Sequence, residues 1–130
     1  MILSNGIDIS ALLSAQTSFE TGLREALVPG VSDLLRDGAI QRFEFTLELA
    51  WKTLRRCLKA KGSQVNHPKD VIREAAAEGW IPAPEKWLEF IDLRNETSHI
   101  YDEPTARKIF EALPEFHDEL RKLIQVVRHL

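Results

Sequence analysis

Residues 40–58 of this chain, IQRFEFTLELAWKTLRRCL, decide its fold. The large apolar side chains of this stretch recur every three or four residues, which places them on one broad face of an α-helix: Ile40, Phe43, Leu47, Trp51, Leu54 and Leu58. Phe45 and Leu49 are displaced from that face, so the helix carries apolar surface on two sides. We therefore expect a helix that begins after Asp37-Gly38, ends at Gly62 and is buried against more than one neighbour.

Helical patterns with clear start and stop signals flank this central helix. Upstream, apolar residues recur at helical spacing from Leu12 to Leu27, which predicts a helix over about residues 8–28. Pro29-Gly30 ends it. Downstream, Pro68 is well placed as the first residue of a helix that runs to about Glu78, with Gly79 closing it.

The C-terminal part of the chain predicts two further helical regions. Pro84 is acceptable in the first turn of a fourth helix that carries Trp87 and Arg94. Pro104 indicates a break, and we expect Pro114 to start the last segment of the final helical region. No segment shows sustained two-residue alternation, so we predict no sheet. The expected fold class is all-α: an antiparallel up-and-down bundle of four main helices with one or two short ones.

Length and composition fit one domain over residues 1–130, because 44% of the residues are hydrophobic and no shift in composition marks a boundary. We expect a soluble, cytoplasmic protein, since the sequence has neither a leader-like start nor the roughly 20 apolar residues needed to span a bilayer. The single cysteine, Cys57, is expected to be buried inside a helix. The net charge of −3 argues against a general nucleic-acid binder.

One segment departs from this acidic balance. The residues between positions 52 and 61 include five cations and no carboxylate: Lys52, Arg55, Arg56, Lys59 and Lys61. At helical spacing, the first four share a face. Two interpretations stay open. The face is either a local phosphate-binding patch or a solvated surface whose charges suit the negative C-terminal end of the helix.

The run Arg94-Asn95-Glu96-Thr97-Ser98-His99-Ile100-Tyr101 carries the chemistry, as R-x4-H-x-Y. Arginine holds a phosphate through a planar fork of donors and histidine exchanges a proton near neutral pH, so the two suit cleavage of a phosphodiester without a metal. In an uninterrupted helix His99 would lie about 140° from Arg94. Either the helix loosens before His99, or two copies of the motif meet across a dimer.

Each motif residue also has a purely structural interpretation. Arg94 would then pair with Glu96 or Glu103, His99 would be a satisfied polar residue at a helix end, and Tyr101 would be an interface aromatic. The three tryptophans are expected in the core and at interfaces. The other histidines are too widely spaced to form a metal site with His99, and we expect no metal and no cofactor.

Several segments occur together in an order and at spacings typical of a known family: Phe43 to Lys52, Val71 to Ala75, Trp87, and Arg94 to Tyr101. With them, the chain resembles the HEPN superfamily of small helical proteins. Within that superfamily it is similar to the nucleotidyltransferase substrate-binding proteins that are related to HepT toxins. The resemblance extends from about Leu12 to the C-terminus.

The resemblance implies a homodimer whose cleft, at the two-fold axis, takes RNA or a nucleotide. Arg94 and His99 would be the catalytic residues of a toxin-type, metal-independent ribonuclease, with His99 as general acid or base. Asn95, Tyr101 and Lys52 are the further candidates for substrate binding. Tyr101 would also be the residue to which a partner nucleotidyltransferase attaches AMP, which inactivates the toxin. Phe45 and Leu49 are candidates for the dimer interface.

The chain is not expected to be the nucleotidyltransferase itself. That chemistry needs a Gly-Ser turn followed by paired carboxylates for a divalent metal, whereas Gly62-Ser63 is followed only by the solitary Asp70. The resemblance implies that a minimal nucleotidyltransferase is encoded nearby. Two alternatives stay open: a non-catalytic subunit that binds a nucleotide or the partner's substrate, and a helical dimer used only for protein interaction.

Overall fold

A computed structural model describes all of residues 1–130 and contains five α-helices. They are α1 (Ser10–Ala26), α2 (Asp33–Ala60), α3 (Pro68–Ala77), α4 (Pro84–Asn95) and α5 (Glu103–Val127), with a short 3-10 turn at Thr97–His99 between the last two. There is no strand, and only an isolated bridge joins Ile2 to Asp8. The predicted all-α fold is confirmed.

Phe116 of α5 lies at the centre of the core. Four aromatic rings pack edge-on against it, with ring centroids 4.9 to 5.8 Å away: Phe19 of α1, Phe43 of α2, and Trp87 and Phe90 of α4. All five rings are almost completely buried. Edge-to-face contacts are favoured by the quadrupole of the aromatic rings. Four of the five helices, α1, α2, α4 and α5, therefore meet in one aromatic cluster.

The central helix α2 contacts all four of the other helices, so the prediction that it is buried on more than one side is confirmed. One side of α2 nevertheless remains in solvent. Leu34 is 79% exposed and Phe45 is 40% exposed, while Leu49 is half-buried. Residues 34 and 45 are eleven positions apart, which places them within about 20° of each other around the helix. We call this side, defined by Leu34, Phe45 and Leu49, the exposed face of α2.

The predicted start of α2 is wrong. The helix begins at Asp33 rather than after Gly38, because Ser32 caps it: the Ser32 hydroxyl accepts a hydrogen bond from the backbone N–H of Leu34 at 3.1 Å. Gly38 lies inside the helix. A glycine there costs only about 1 kcal/mol relative to alanine, which the long buried face of α2 offsets.

Pro114 is also placed differently from the prediction, because it lies within α5 instead of starting a new segment. A proline inside a helix removes one backbone hydrogen bond and crowds the preceding turn. Its neighbours Leu113 and Phe116 are both completely buried, so core packing on either side keeps the helix continuous. Pro104, in contrast, stands in the first turn of α5, where its fixed φ is suited to a helix.

The three tryptophans and Cys57 are buried, as the sequence predicted. Burial raises the pKa of the Cys57 thiol above its ordinary value, which disfavours the reactive thiolate. None of the five helices combines the length and the apolar character needed to cross a membrane.

Candidate functional site

The R-x4-H-x-Y motif lies where α4 ends and α5 begins. Arg94 is in the last turn of α4, and Asn95 is its last residue. The hydroxyl of Thr97 donates a 2.7 Å hydrogen bond to the backbone carbonyl of Arg94, which satisfies a carbonyl at the helix end. The chain then tightens into the 3-10 turn that contains His99. The α-helix thus ends before His99, so the chain from Arg94 to Tyr101 is not one uninterrupted helix.

An ion pair and a helix cap fix the two ends of this junction. Glu96 accepts a hydrogen bond from Nζ of Lys108 at 3.0 Å, which ties the end of α4 to α5. The side chain of Asp102 accepts from the backbone N–H of Thr105 at 3.2 Å and so caps α5. The turn that carries His99 is therefore held in place from both sides.

A second ion pair ties the start of α5 to α2. Nη1 of Arg36 lies 2.6 Å from Oε1 of Glu103. This hydrogen bond lowers the pKa of the Glu103 carboxyl and raises the pKa of Arg36, and both shifts favour the charged pair. With Glu96 bonded to Lys108 and Glu103 to Arg36, the interpretation that either of them is the partner of Arg94 is wrong.

Arg94 instead reaches across to α2. Its Nη2 lies 2.7 Å from Oε1 of Glu48, and Nζ of Lys52 lies 3.2 Å from Oε2 of the same carboxylate. Glu48 therefore holds both cations in one cluster. The Nε atom of Arg94 is buried and has no hydrogen-bond partner. The Arg94 side chain as a whole is 35% exposed, so an anion from solvent can still reach the guanidinium.

The Glu48 carboxylate was not identified from the sequence. One signal was available: Glu48 and Lys52 are four residues apart, the spacing at which a carboxylate and a cation pair along a helix. That spacing gives no indication of Arg94, which lies on another helix. Thr97 was also missed, because a threonine inside the motif has no distinctive chemistry of its own.

His99 and Tyr101 lie together on the solvent side of the junction. The phenol oxygen of Tyr101 is 3.4 Å from Nδ1 of His99, and their rings meet edge-on with centroids 5.9 Å apart. Tyr101 is 84% exposed, and His99 is exposed as well. In the tautomer whose Nδ1–H donates to the phenol oxygen, Nε2 is left free to accept a proton. The pair can thus orient an imidazole for acid–base chemistry at the surface.

The structure does not bring all the predicted site residues into one pocket. Arg94 makes no hydrogen bond to His99, and the side chain of Asn95 is exposed and unbonded. The largest groove, about 600 Å³, lies elsewhere, between α1 and α5 beside Pro114 and His117. No three His, Cys, Asp or Glu side chains are grouped so that they could hold a metal ion. The candidate site is therefore an open surface.

Two ion pairs fix how this surface is arranged along α2. Arg94 lies beside Glu48, and Glu103 lies beside Arg36. The chain from 94 to 103 thus runs antiparallel to α2 and lies along residues 36–48. This is the part of α2 that exposes Phe45. Around the axis of α2, Phe45 lies about 60° from Glu48 and about 180° from Arg36, so the exposed face of α2 is close to the Arg94 end of the junction and not to its Glu103 end.

Comparisons with known proteins match nearly the whole chain. The family model described as nucleotidyltransferase substrate binding protein like matches residues 7–129, which include the motif. A Haemophilus influenzae protein named probable ribonuclease HepT is 36% identical over 103 residues, covering 75% of this chain and 70% of that protein.

Two solved structures share the fold. One is a Haemophilus influenzae protein whose structure is described as revealing the fold of a substrate binding domain of a nucleotidyltransferase. It has a TM-score of 0.82 and 31% identity, over 93% of this chain and 99% of that one. A crystal structure from Thermus thermophilus has a TM-score of 0.79 and 35% identity, over 88% of this chain and 98% of that one. The helical fold is therefore common to all three proteins.

Proposed function

The chain belongs to the family of nucleotidyltransferase substrate binding protein like proteins, and from that membership we propose that it is the helical subunit of a cytoplasmic two-protein system. Its partner is a minimal nucleotidyltransferase encoded nearby. Its own activity is that of a toxin-type, metal-independent ribonuclease. The observations that carry this proposal are the exposed His99–Tyr101 pair and, at the end of α4, an Arg94 guanidinium that Glu48 holds in place.

In the proposed reaction, Nε2 of His99 takes the proton of an RNA 2′-hydroxyl. The 2′-oxygen attacks the adjacent phosphorus, and the bond from phosphorus to the 5′-oxygen of the next nucleotide breaks. The leaving oxygen takes a proton from solvent, so the products carry a 2′,3′-cyclic phosphate and a 5′-hydroxyl. Arg94 stabilises the negative charge that develops on the phosphoryl oxygens. Asn95 and Lys52 bind flanking polar groups of the substrate.

A second copy of the chain completes the site. Within one chain Arg94 is bonded to Glu48 and does not contact His99, whereas a two-fold dimer would bring Arg94 of one copy towards His99 of the other. The exposed face of α2 supplies the interface, because its Phe45 lies within one turn of Glu48, which holds Arg94, and because its apolar side chains gain about 25 cal/mol for each Å² removed from water. Phe45 lies at the middle of that face.

The proposal is tested on the purified protein without its partner. We expect slow cleavage of RNA in the presence of EDTA, with cyclic phosphate ends, because an imidazole and a guanidinium supply the chemistry. The fragments are resolved on gels and their ends are identified by mass spectrometry. Cleavage that requires an added metal would overturn the mechanism.

The second candidate function is a non-catalytic subunit that binds a nucleotide or the substrate of the partner. The structural relative described as a substrate binding domain of a nucleotidyltransferase favours it. A protein that leaves RNA intact under all conditions but binds a nucleotide at Arg94 would establish this function in place of the first. Calorimetric titration with AMP and ATP, on the native chain and Arg94→Ala, makes that distinction.

Tyr101 is the proposed site of inactivation. The phenol oxygen attacks the α-phosphorus of ATP, the bond from that phosphorus to pyrophosphate breaks, and the phenol proton leaves to solvent. The metal-bound site of the partner activates the phenol, and the 84% exposure of Tyr101 makes it accessible there. Because the phenol oxygen is 3.4 Å from Nδ1 of His99, attached AMP would occupy the space that RNA needs.

The change Tyr101→Phe is expected to prevent AMP attachment completely, since it removes the only acceptor oxygen while it keeps the ring. Both proteins are incubated with the cognate nucleotidyltransferase, ATP and Mg²⁺, and their intact masses are compared. An adduct of AMP mass is expected on the native chain alone. An adduct that persists on Tyr101→Phe would place the acceptor at another residue.

A further inference from the structure

We propose that a line of cations along the second half of α2 binds the phosphate backbone of single-stranded RNA and leads it into the candidate site. The line consists of Lys52, Arg55, Arg56 and Lys59, and we call it the basic strip. This inference rests on the proposed ribonuclease function. It adds the surface that holds the substrate on one side of the reacting phosphodiester.

The basic strip begins one helical turn after Glu48, the carboxylate that pairs with Arg94. Glu48 holds the Arg94 guanidinium, and Lys52, Arg55 and Lys59 follow Glu48 by four, seven and eleven residues. These intervals keep all three within about 40° of the direction of Glu48, and the last one lies about 16 Å further along the helix axis. Arg56 flanks the line and is exposed. The cations thus continue from Arg94 in the direction away from His99.

Most of the basic strip has no carboxylate partner. Lys52 shares Glu48 with Arg94, but Arg55, Arg56 and Lys59 have no carboxylate oxygen within 4.0 Å. The sequence contains no acidic residue between Glu48 and Asp70. The charges of the strip are therefore not neutralised within the protein and are available to an external anion.

Arg55 is held in a fixed position in the strip. Its guanidinium carbon lies 5.1 Å from the centre of the Trp51 ring, and that ring is only 8% exposed. The Nε atom of Arg55 is buried and lacks a hydrogen-bond partner, like that of Arg94. Three buried side-chain polar atoms in the chain lack a partner, and two of them are these arginine nitrogens. A planar guanidinium with one face on an aromatic ring presents its edge to phosphate, so Arg55 suits an anion bound beyond Arg94 along the same helix.

The chemistry of the strip fits a nucleic-acid backbone better than a protein surface. From residue 52 to residue 59 the cations alone reach solvent, because Thr53, Leu54, Cys57 and Leu58 are buried. A specific protein–protein interface usually has an apolar centre, and the strip has none. Regularly spaced cations match the repeating charge of a polynucleotide. The overall charge of −3 repels a polyanion from the rest of the surface and confines it to this strip.

The test uses the double variant Arg55→Gln/Lys59→Gln and a labelled single-stranded DNA oligonucleotide. DNA lacks the 2′-hydroxyl, so it is not cleaved and binding is measured alone, by fluorescence anisotropy over a range of salt. Each phosphate contact on a single strand contributes about 0.7 to the log–log salt slope, so we expect a slope shallower by about 1.4 and an affinity roughly 25-fold weaker at 0.1 M salt. The same measurement is repeated with RNA of the same sequence, and His99→Ala is added to the native chain and to the double variant so that the RNA is not cleaved. We expect the same change in salt slope and the same loss of affinity.

The matched control is Arg24→Gln/Arg121→Gln, which removes the same charge from the groove between α1 and α5 and should leave binding unchanged. The variant Arg56→Gln/Lys59→Gln changes only exposed side chains and serves if Arg55→Gln disturbs folding. Three outcomes would overturn the proposal that the strip binds RNA. The strip variants could bind the oligonucleotide as the native chain does, the control could lose as much affinity as they do, or the native chain could fail to bind. Weakened binding to the nucleotidyltransferase, with intact binding to oligonucleotides, would overturn it in favour of protein docking.

The outcomes also separate the strip from the proposed function. If the native chain cleaves no RNA but its oligonucleotide binding depends on the strip, the proposed ribonuclease function is wrong and the proposed binding by the strip is supported. If RNA is cleaved and the strip variants bind as the native chain does, the proposed binding by the strip is wrong and the proposed ribonuclease function is supported.

Discussion

Replacement of His99 by alanine should lower the rate of RNA cleavage by about 10²- to 10⁴-fold, the usual loss when a positioned acid or base is removed. The structure indicates that the loss will be chemical rather than structural. His99 is exposed, and its only side-chain partner is Tyr101. Single-turnover kinetics with saturating enzyme measure the chemical step directly. His117→Ala is the matched control, because His117 lies on α5 and bonds to Glu20, away from the motif.

The same variant also tests whether the site is shared between two copies. Arg94→Ala should be inactive as well, because it removes the charge that stabilises the transition state. When equal amounts of the two inactive proteins exchange subunits, half of the dimers are mixed and each has one intact site, so about a quarter of the native activity should return. If no activity returns although exchange is demonstrated, Arg94 and His99 do not act across the dimer.

Replacement of Phe116 by alanine should lower the free energy of unfolding by about 3–5 kcal/mol, the typical cost of removing a large aromatic side chain from a core. The ring is completely buried, and aromatic rings from α1, α2 and α4 pack against it. Its loss therefore leaves a cavity where several helices meet. Urea unfolding at one fixed protein concentration provides the measurement.

Phe110→Ala is the control for this prediction. It deletes the same side chain from the same helix, but Phe110 is only partly buried at the edge of the core. Phe110→Ala should therefore lower the free energy of unfolding by clearly less than Phe116→Ala does. Equal losses in the two variants would show that the aromatic cluster is not the centre of stability.

Much of the fold could be predicted from the sequence because its core is built from large apolar side chains at helical spacing. Phe43, Leu47 and Trp51 were assigned to one apolar helix face from that spacing, and all three are buried. The errors occurred at Gly38 and Pro114, where a residue that usually interrupts a helix lies inside one. Local preferences at these positions are a few kcal/mol at most, so they are outweighed by tertiary packing that the sequence pattern does not reveal.

The candidate site could be predicted only in part, for a related reason. Arg94, His99 and Tyr101 stand close together in the sequence, and their side chains have distinctive chemistry. The contact from Arg94 to Glu48 joins two helices that are far apart in the chain. Spacing along a helix predicts which side chains of that same helix are neighbours, and it cannot predict a contact with another helix. The electrostatic setting of the guanidinium was therefore visible only in the folded chain.

The position of Tyr101 gives the chain an optical label. It is the only tyrosine among the 130 residues, and it is 84% exposed. A phenol joined to phosphate through its oxygen can no longer ionise, so the phenolate absorbance that appears in alkali would belong to one residue and would vanish when that residue is modified. The three tryptophans are buried and do not ionise, so they form a constant background. An absorbance titration of the intact protein would thus give the occupancy of a single site without digestion or sequencing.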